Sequence, residues 1–274
     1  MSDFDVVIHL RRCEEVTPAG TAGLHLAARL GAHTMGLHVV TMSPAAFVSP
    51  EAVAVHVNET EHLFDEARAR EPWWRAELDR HGVDGEFQVV QGDAVEALCH
   101  ASRWADFVVA ERPIHNPDAP VGWGIVSRTV FNASSPVLVV PETARVETLG
   151  EHVVIAWNAS REAILAVRGA MPLLRRASRI SVLEGQPATH PLGLQNLPVI
   201  DLRAWLARHR IDAEFRAFRP EKEHGAALLE AARTLGADLI VIGAWGQSRI
   251  TELVLGGVTR HLFQHSDLPL LVAH

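Results

Sequence analysis

Residues Gly243–Arg260 read GAWGQSRITELVLGGVTR. They follow the apolar run Ala237-Asp238-Leu239-Ile240-Val241-Ile242, which has the length and the Ile/Val content of a strand buried on both faces. Gly243, Gly246, Gly256 and Gly257 come next. Val258–Gln264 then reads as the start of a helix, and Pro269–Val272 as a last short strand. Glycines between a parallel strand and a helix let bare backbone approach an anion. The helix N-terminus adds free N–H groups and the positive end of its dipole. The stretch therefore predicts a phosphate loop; tight turns alone are the other reading of the same glycines.

Outward from this stretch, the chain repeats itself. Ala237-Asp238-Leu239-Ile240-Val241 matches Ala105-Asp106-Phe107-Val108-Val109, Pro269–Val272 matches Pro136–Val139, and Val153-Val-Ile155 matches Val6-Val-Ile8. A period of this length marks two copies of one domain, each of ordinary size. In the first copy, strands are expected at Val6–Leu10, Thr34–Val40, Glu86–Val90, Ala105–Ala110 and Pro136–Val140. Helices are expected at Thr21–Gly31, at Glu59–His81 with a kink or split at Pro72, and from Gly92-Asp93 to about Ala101. Leu63, Phe64, Trp74 and Leu78 are taken as the apolar side of Glu59–His81. Ser43–Asn58, with Pro44 and Pro50, is expected to be an irregular, lid-like connection. In the second copy, Arg179–Leu183 and Ala213–Phe218 read as strands, Leu197–His209 and Gly225–Leu235 as helices. The boundary falls in the polar link Pro141–Gly150, which divides the chain into 1–143 and 149–274. Strands alternating with helices imply right-handed crossovers and parallel sheets.

Composition narrows the function classes. The 274 residues are 48% hydrophobic and 21% charged, which is the balance of a cored globular protein. A formal net charge of −8 argues against a general nucleic-acid binder. No apolar stretch approaches the roughly 20 residues that span a bilayer, and the N-terminus lacks a signal-peptide pattern. Cys13 and Cys99 are isolated, and the 16 His show no paired ligand spacing. The expectation is a cytoplasmic protein without a structural metal.

Gly243, two residues, Gly246, nine residues and Gly256 resemble the G-2x-G-9x-G-(S/T) loop of the universal stress protein family. The loop differs from GxxxxGK[ST], because no Lys follows and Lys222 is the single Lys of the chain. Gly92-Asp93, Ser135-Pro-Val-Leu-Val139 and Ile155-Ala-Trp-Asn-Ala-Ser160 also resemble family features. The resemblance covers nearly the whole chain as a tandem member. It implies two Rossmann-like α/β domains, each a five-stranded parallel sheet of order 3-2-1-4-5 with helices on both faces. It implies pairing of the last strands between the domains, and a homodimer of chains. It also implies an adenine nucleotide (ATP, AMP or ADP, with or without Mg) in the second domain. The site would comprise Ala156, Asn158, Leu183, Gly243, Ala244, Gly246, Arg249, Gly256, Gly257, Val258 and Thr259. One position departs from the family: Gly257 stands where Ser or Thr is usual.

The two copies differ chemically. In step along the repeat, Gly243 corresponds to Glu111, Gly246 to Ile114, Gly256 to Gly124, Gly257 to Ile125, Thr259 to Ser127 and Asn158 to Arg11. A carboxylate at Glu111 would repel phosphate, and Pro113, Pro117 and Pro120 remove N–H donors from that loop. The first copy is therefore expected not to bind a nucleotide in the family's way, unless its loop serves another ligand. Several readings stay open. Asn158 contacts a base or caps the following helix, a role that Ser160 also fits. Trp157 and Trp245 line a base pocket or belong to the core. Arg249 reaches phosphate or is solvated. Ser248, Thr251 and Thr259 have no His/Asp constellation, so a regulatory protein without turnover is expected. A ligand-free interaction module and a slow ATP hydrolase are the alternatives.

Overall fold

The computed structural model describes residues 2–41, 50–113, 124–186, 201–244 and 257–274. The first half runs β1 (Asp5–His9), α1 (Pro18–Leu30), β2 (His33–Val40), α2 (Pro50–Arg68), α3 (Glu71–His81), β3 (Asp84–Gln91), α4 (Ala94–Ala101), β4 (Phe107–Arg112), α5 (Ile125–Asn132) and β5 (Val137–Pro141). The second half runs β6 (His152–Trp157), α6 (Arg161–Gly169), α7 (Met171–Leu174), β7 (Arg179–Glu184), α8 (Leu202–Arg208), β8 (Glu214–Ala217), α9 (His224–Leu235), β9 (Leu239–Gly243), α10 (Gly257–His265) and β10 (Leu270–Ala273).

Each half has the order 3-2-1-4-5, and the two join edge to edge. The result is one ten-stranded sheet, β3-β2-β1-β4-β5-β10-β9-β6-β7-β8. Every pairing is parallel except the seam, where β5 and β10 run antiparallel with Leu138 opposite Leu271. Seam residues Val137–Val139 and Leu270–Val272 are almost fully buried. The seam thus removes two apolar edges that would otherwise template aggregation. The strands carry near-continuous Val/Ile/Leu because helices cover both faces. One core, on the α1, α3, α6, α7 and α8 face, contains Ile8, Trp74, Ile155 and Leu173. The other, on the α4, α5, α9 and α10 face, contains Leu98, Val154, Ile240 and Leu262.

Helix ends follow local chemistry. Thr17, Asp93, Ser160 and Asp201 cap α1, α4, α6 and α8 by accepting a backbone N–H of the first turn. Gly31 ends α1 at φ 64°, a conformation costly for other residues.

Two expectations are corrected, for Ser43–Asn58 and for the link between the halves, and at Pro72 the split is found rather than the kink. The Ser43–Asn58 connection is helical from Pro50 onward, with Pro50 at a position that needs no N–H; residues 42–49 lie outside the described residues. The Glu59–His81 segment is two helices that break at Ala69-Arg70, because Pro72 fits the first turn of α3 and not a helix interior; Leu63 on it is exposed. The link between the halves is anchored rather than loose. Ala144 and Leu149 are buried in the core, and the Asp238 carboxylate accepts the N–H groups of Gly150, Glu151 and His152 at 3.0–3.1 Å. That set of bonds also accounts for Asp238 at the start of a buried strand. Of Leu197–His209, residues 197–200 lie outside the described residues, and α8 covers Leu202–Arg208 between the caps Asp201 and His209.

Candidate functional site

In open parallel sheets, ligands bind outside the carboxyl ends of the strands where the strand order reverses. In the second half this point lies between β6 and β9. Register puts Ala156 between Leu183 on β7 and Ile242 on β9, so the three form one row across the sheet. All three belong to the α9 and α10 face. Leu183 and Ile242 are buried, whereas Ala156 stays partly open, so its small side chain leaves a floor at the strand ends. Above this edge, α10 starts at Gly257, which is exposed; Val258 is half-buried and Thr259 buried. The first N–H groups of a helix have no intrahelical acceptor. Among the described residues, a Cβ built on Gly257 meets nothing within 4 Å.

The remaining expected site residues divide. Asn158 is exposed at the end of β6, and its Oδ1 accepts the Ser160 N–H at 3.1 Å. Ser160 Oγ then accepts the Ala163 N–H, so Ser160 is the helix cap and Asn158 shapes the turn before it. Ala159 takes φ 56° in that turn. Ala244 is fully buried; its N–H donates to Ala273 O and its carbonyl meets His274 Nδ1 at 3.1 Å. Its N–H is therefore not available to a ligand. Gly243 has a packing reason for lacking a side chain, since an added Cβ would lie 2.4 Å from the Ala163 nitrogen. Trp157 points to the α6 and α8 face, opposite Ala156, because neighbours on a strand alternate. It is therefore core on that side rather than part of the row below α10. Gly246, Arg249 and Gly256, together with Trp245, Ser248 and Thr251, lie outside the described residues.

The equivalent edge of the first half is filled. His9 pairs with Leu37 as Ala156 pairs with Leu183. It is only 6% exposed, and burial, with Arg11 and His38 nearby, pushes its pKa down to about 4, so the ring is neutral near pH 7. Glu111, in the place of Gly243, has a side chain 4% exposed; it accepts from Arg11 Nη1 at 2.9 Å. Eight residues, 10–17, separate β1 from α1, whereas three, 158–160, separate β6 from α6. The longer loop moves the helix start away and makes room for Glu111, which the α6 start would not allow at position 243. The sequence reading missed His9 and Ile242. The repeat carries the signal for His9: one step beyond Val6-Val-Ile8, it takes the position of Ala156.

Among the described residues, Arg112 and Arg29 donate hydrogen bonds across the halves. Arg112, next to Glu111, donates from Nη1 to Phe263 O and from Nη2 to Ser266 O at 2.5 Å, at the C-terminal end of α10. Arg29 donates to Glu151, Gly150 O and Arg176 O. Among the described residues no group of three or more His, Cys, Asp or Glu could hold a metal ion, and no helix is long and apolar enough to cross a membrane.

The universal stress protein family model matches residues 151–274. A universal stress protein from Archaeoglobus fulgidus DSM 4304 has a similar structure, with 14% identity and a TM-score of 0.70 over 98% of this chain and 97% of that one. A Pseudomonas aeruginosa UCBPP-PA14 protein assigned to the same family matches 98% of this chain and 92% of its own, with 13% identity and a TM-score of 0.57. No curated protein shows significant sequence similarity to the chain. The strand order 3-2-1-4-5 is present twice, and the second of its two copies is the part of the chain that the universal stress protein family model matches.

Proposed function

We propose that the second half binds one adenine nucleotide, ATP or its ADP and AMP forms, and that the chain acts as a ligand-dependent regulatory protein. The carrying observation is the contrast between equivalent edges. In the second half, partly open Ala156 lies below an exposed helix start at Gly257; in the first half, His9 and the Arg11–Glu111 pair occupy the same ground. Phosphates suit the first turn of α10, where backbone N–H groups and the dipole favour anions. The base suits the row Ala156–Leu183, with the Asn158 amide at its rim to donate. The residues present fit this ligand: small floor, exposed helix start, no carboxylate at position 243. Arg112 at the far end of α10 makes the first half sense the same helix. That connection gives ligand binding a route to the domain seam.

Isothermal titration calorimetry with ATP, ADP and AMP tests the reading. One site per chain is expected. Gly257→Glu should weaken binding at least tenfold, because its carboxylate would sit where phosphates go, at an exposed position whose Cβ meets none of the described residues. Glu111→Gln should leave binding unchanged. Two sites per chain, or full affinity in Gly257→Glu, overturns the proposal.

A further inference from the structure

A cavity lies on the other face of the sheet from Ala156, between α6 and α8, with a volume of about 160 Å³. Its walls are apolar and aromatic: Trp157 from the end of β6, Val167 from α6, and Trp205 from α8. The His209 ring lies against Trp205, with ring centroids 4.2 Å apart, and His209 Nδ1 meets Trp205 O at 2.8 Å. Arg168 and Arg208 line the same cavity from the two helices. Both are exposed, and neither guanidinium has an ion pair or hydrogen bond among the described residues. Asp201 also lines it, but its Oδ1 is engaged in capping α8 through the Ala204 N–H at 2.9 Å. The charge at the mouth is thus two cations against one carboxylate.

We propose that this cavity is a binding site for a small aromatic carboxylate, distinct from the edge below α10. The volume is close to that of a cavity of about 150 Å³ that takes up benzene, so it admits one ring with a short substituent. The two indoles offer flat faces for stacking. The guanidinium forks present paired donors matched to a carboxylate. A neutral ring of the same size would gain only the walls, and a carboxylate without a ring only the mouth. The ligand class follows from needing both.

The test is ligand-observed fluorine NMR of 4-fluorobenzoate titrated with the full chain, with 4-fluorobenzyl alcohol as the neutral comparison. Saturable binding of the benzoate is expected, with a dissociation constant of about 0.05–5 mM for a ligand this small. The alcohol should bind at least tenfold more weakly. The double variant Arg168→Gln/Arg208→Gln should lose at least tenfold for the benzoate and little for the alcohol. Because both positions are exposed, folding should be unaffected. Val167→Phe, which fills the cavity, should abolish both. Saturating ATP should leave benzoate binding unchanged. No saturable binding, equal affinity for benzoate and alcohol, insensitivity to the arginine pair, or displacement by ATP would each overturn the proposal. The last outcome would assign the probe to the α10 edge and leave the nucleotide reading standing.

Discussion

Replacing Gly257 by Ser restores the residue type that the resembling loop usually carries at the mouth of α10. Gly257 is exposed, its φ lies outside the left-handed region, and among the described residues a Cβ there meets nothing within 4 Å, so Ser enters without strain against them. The hydroxyl would add one bond to a phosphate oxygen. A hydrogen bond to a charged group contributes roughly 1.5–3 kcal/mol, which corresponds to about a ten- to hundredfold tighter dissociation constant. A separate effect accompanies it: removing Gly from a helix stabilises the fold by about 0.5–1 kcal/mol. Gly257→Ala isolates that second effect, since it carries the helix gain without the hydroxyl. Calorimetry with ATP on wild type, Gly257→Ala and Gly257→Ser, beside urea unfolding without ligand, separates the two. Ser alone should tighten binding, and both variants should raise the urea midpoint. The corresponding first-half variant, Ile125→Ser, should change neither number of sites nor affinity. If Ala tightens ATP binding as much as Ser, the argument from the hydroxyl fails. If neither variant alters the affinity, α10 is not where phosphate sits.

His9 predicts acid sensitivity. Its folded pKa, about 4, lies below the ordinary 6.5, so the neutral ring stabilises the fold fully above pH 6.5 and that stability is lost as pH falls toward 4. Between pH 7.5 and 5 wild type should lose about 2 kcal/mol more than His9→Leu in urea unfolding; parallel pH slopes would refute this, and because His25, His152 and His261 shift the same way, only the difference between the two proteins is diagnostic. Arg112→Ala removes two charged donors from the end of α10 and should cost about 2–3 kcal/mol of stability by the same measurement. A loss below about 0.5 kcal/mol would mean that the clamp carries no net energy.

Much of this protein could be read within windows of a few residues, because the physics there is local. The all-apolar strands Val6–Ile8, Val153–Ile155 and Leu239–Ile242 announce helices on both faces. Thr17, Asp93 and Ser160 cap the helices they precede. The repeat set residue against residue, and its register holds in three dimensions: α5 begins at Ile125 and α10 at Gly257, the paired positions. Even the asymmetry of the halves was legible, as Glu111 against Gly243. What the chain could not disclose locally are contacts between residues far apart in sequence. The edge-to-edge seam of β5 and β10 joins residues 137–139 to 270–272. Arg112 reaches Phe263 and Ser266 in the other half. Gly243 lacks a side chain because the start of α6 presses on it, a demand of packing that looks in sequence like a demand of a ligand. Trp157 and Ala156 are neighbours in the chain but face opposite cores, since only the formed sheet assigns each side chain its face. His9 was one more histidine among sixteen until the fold closed water away from it at the edge that its counterpart, Ala156, leaves open.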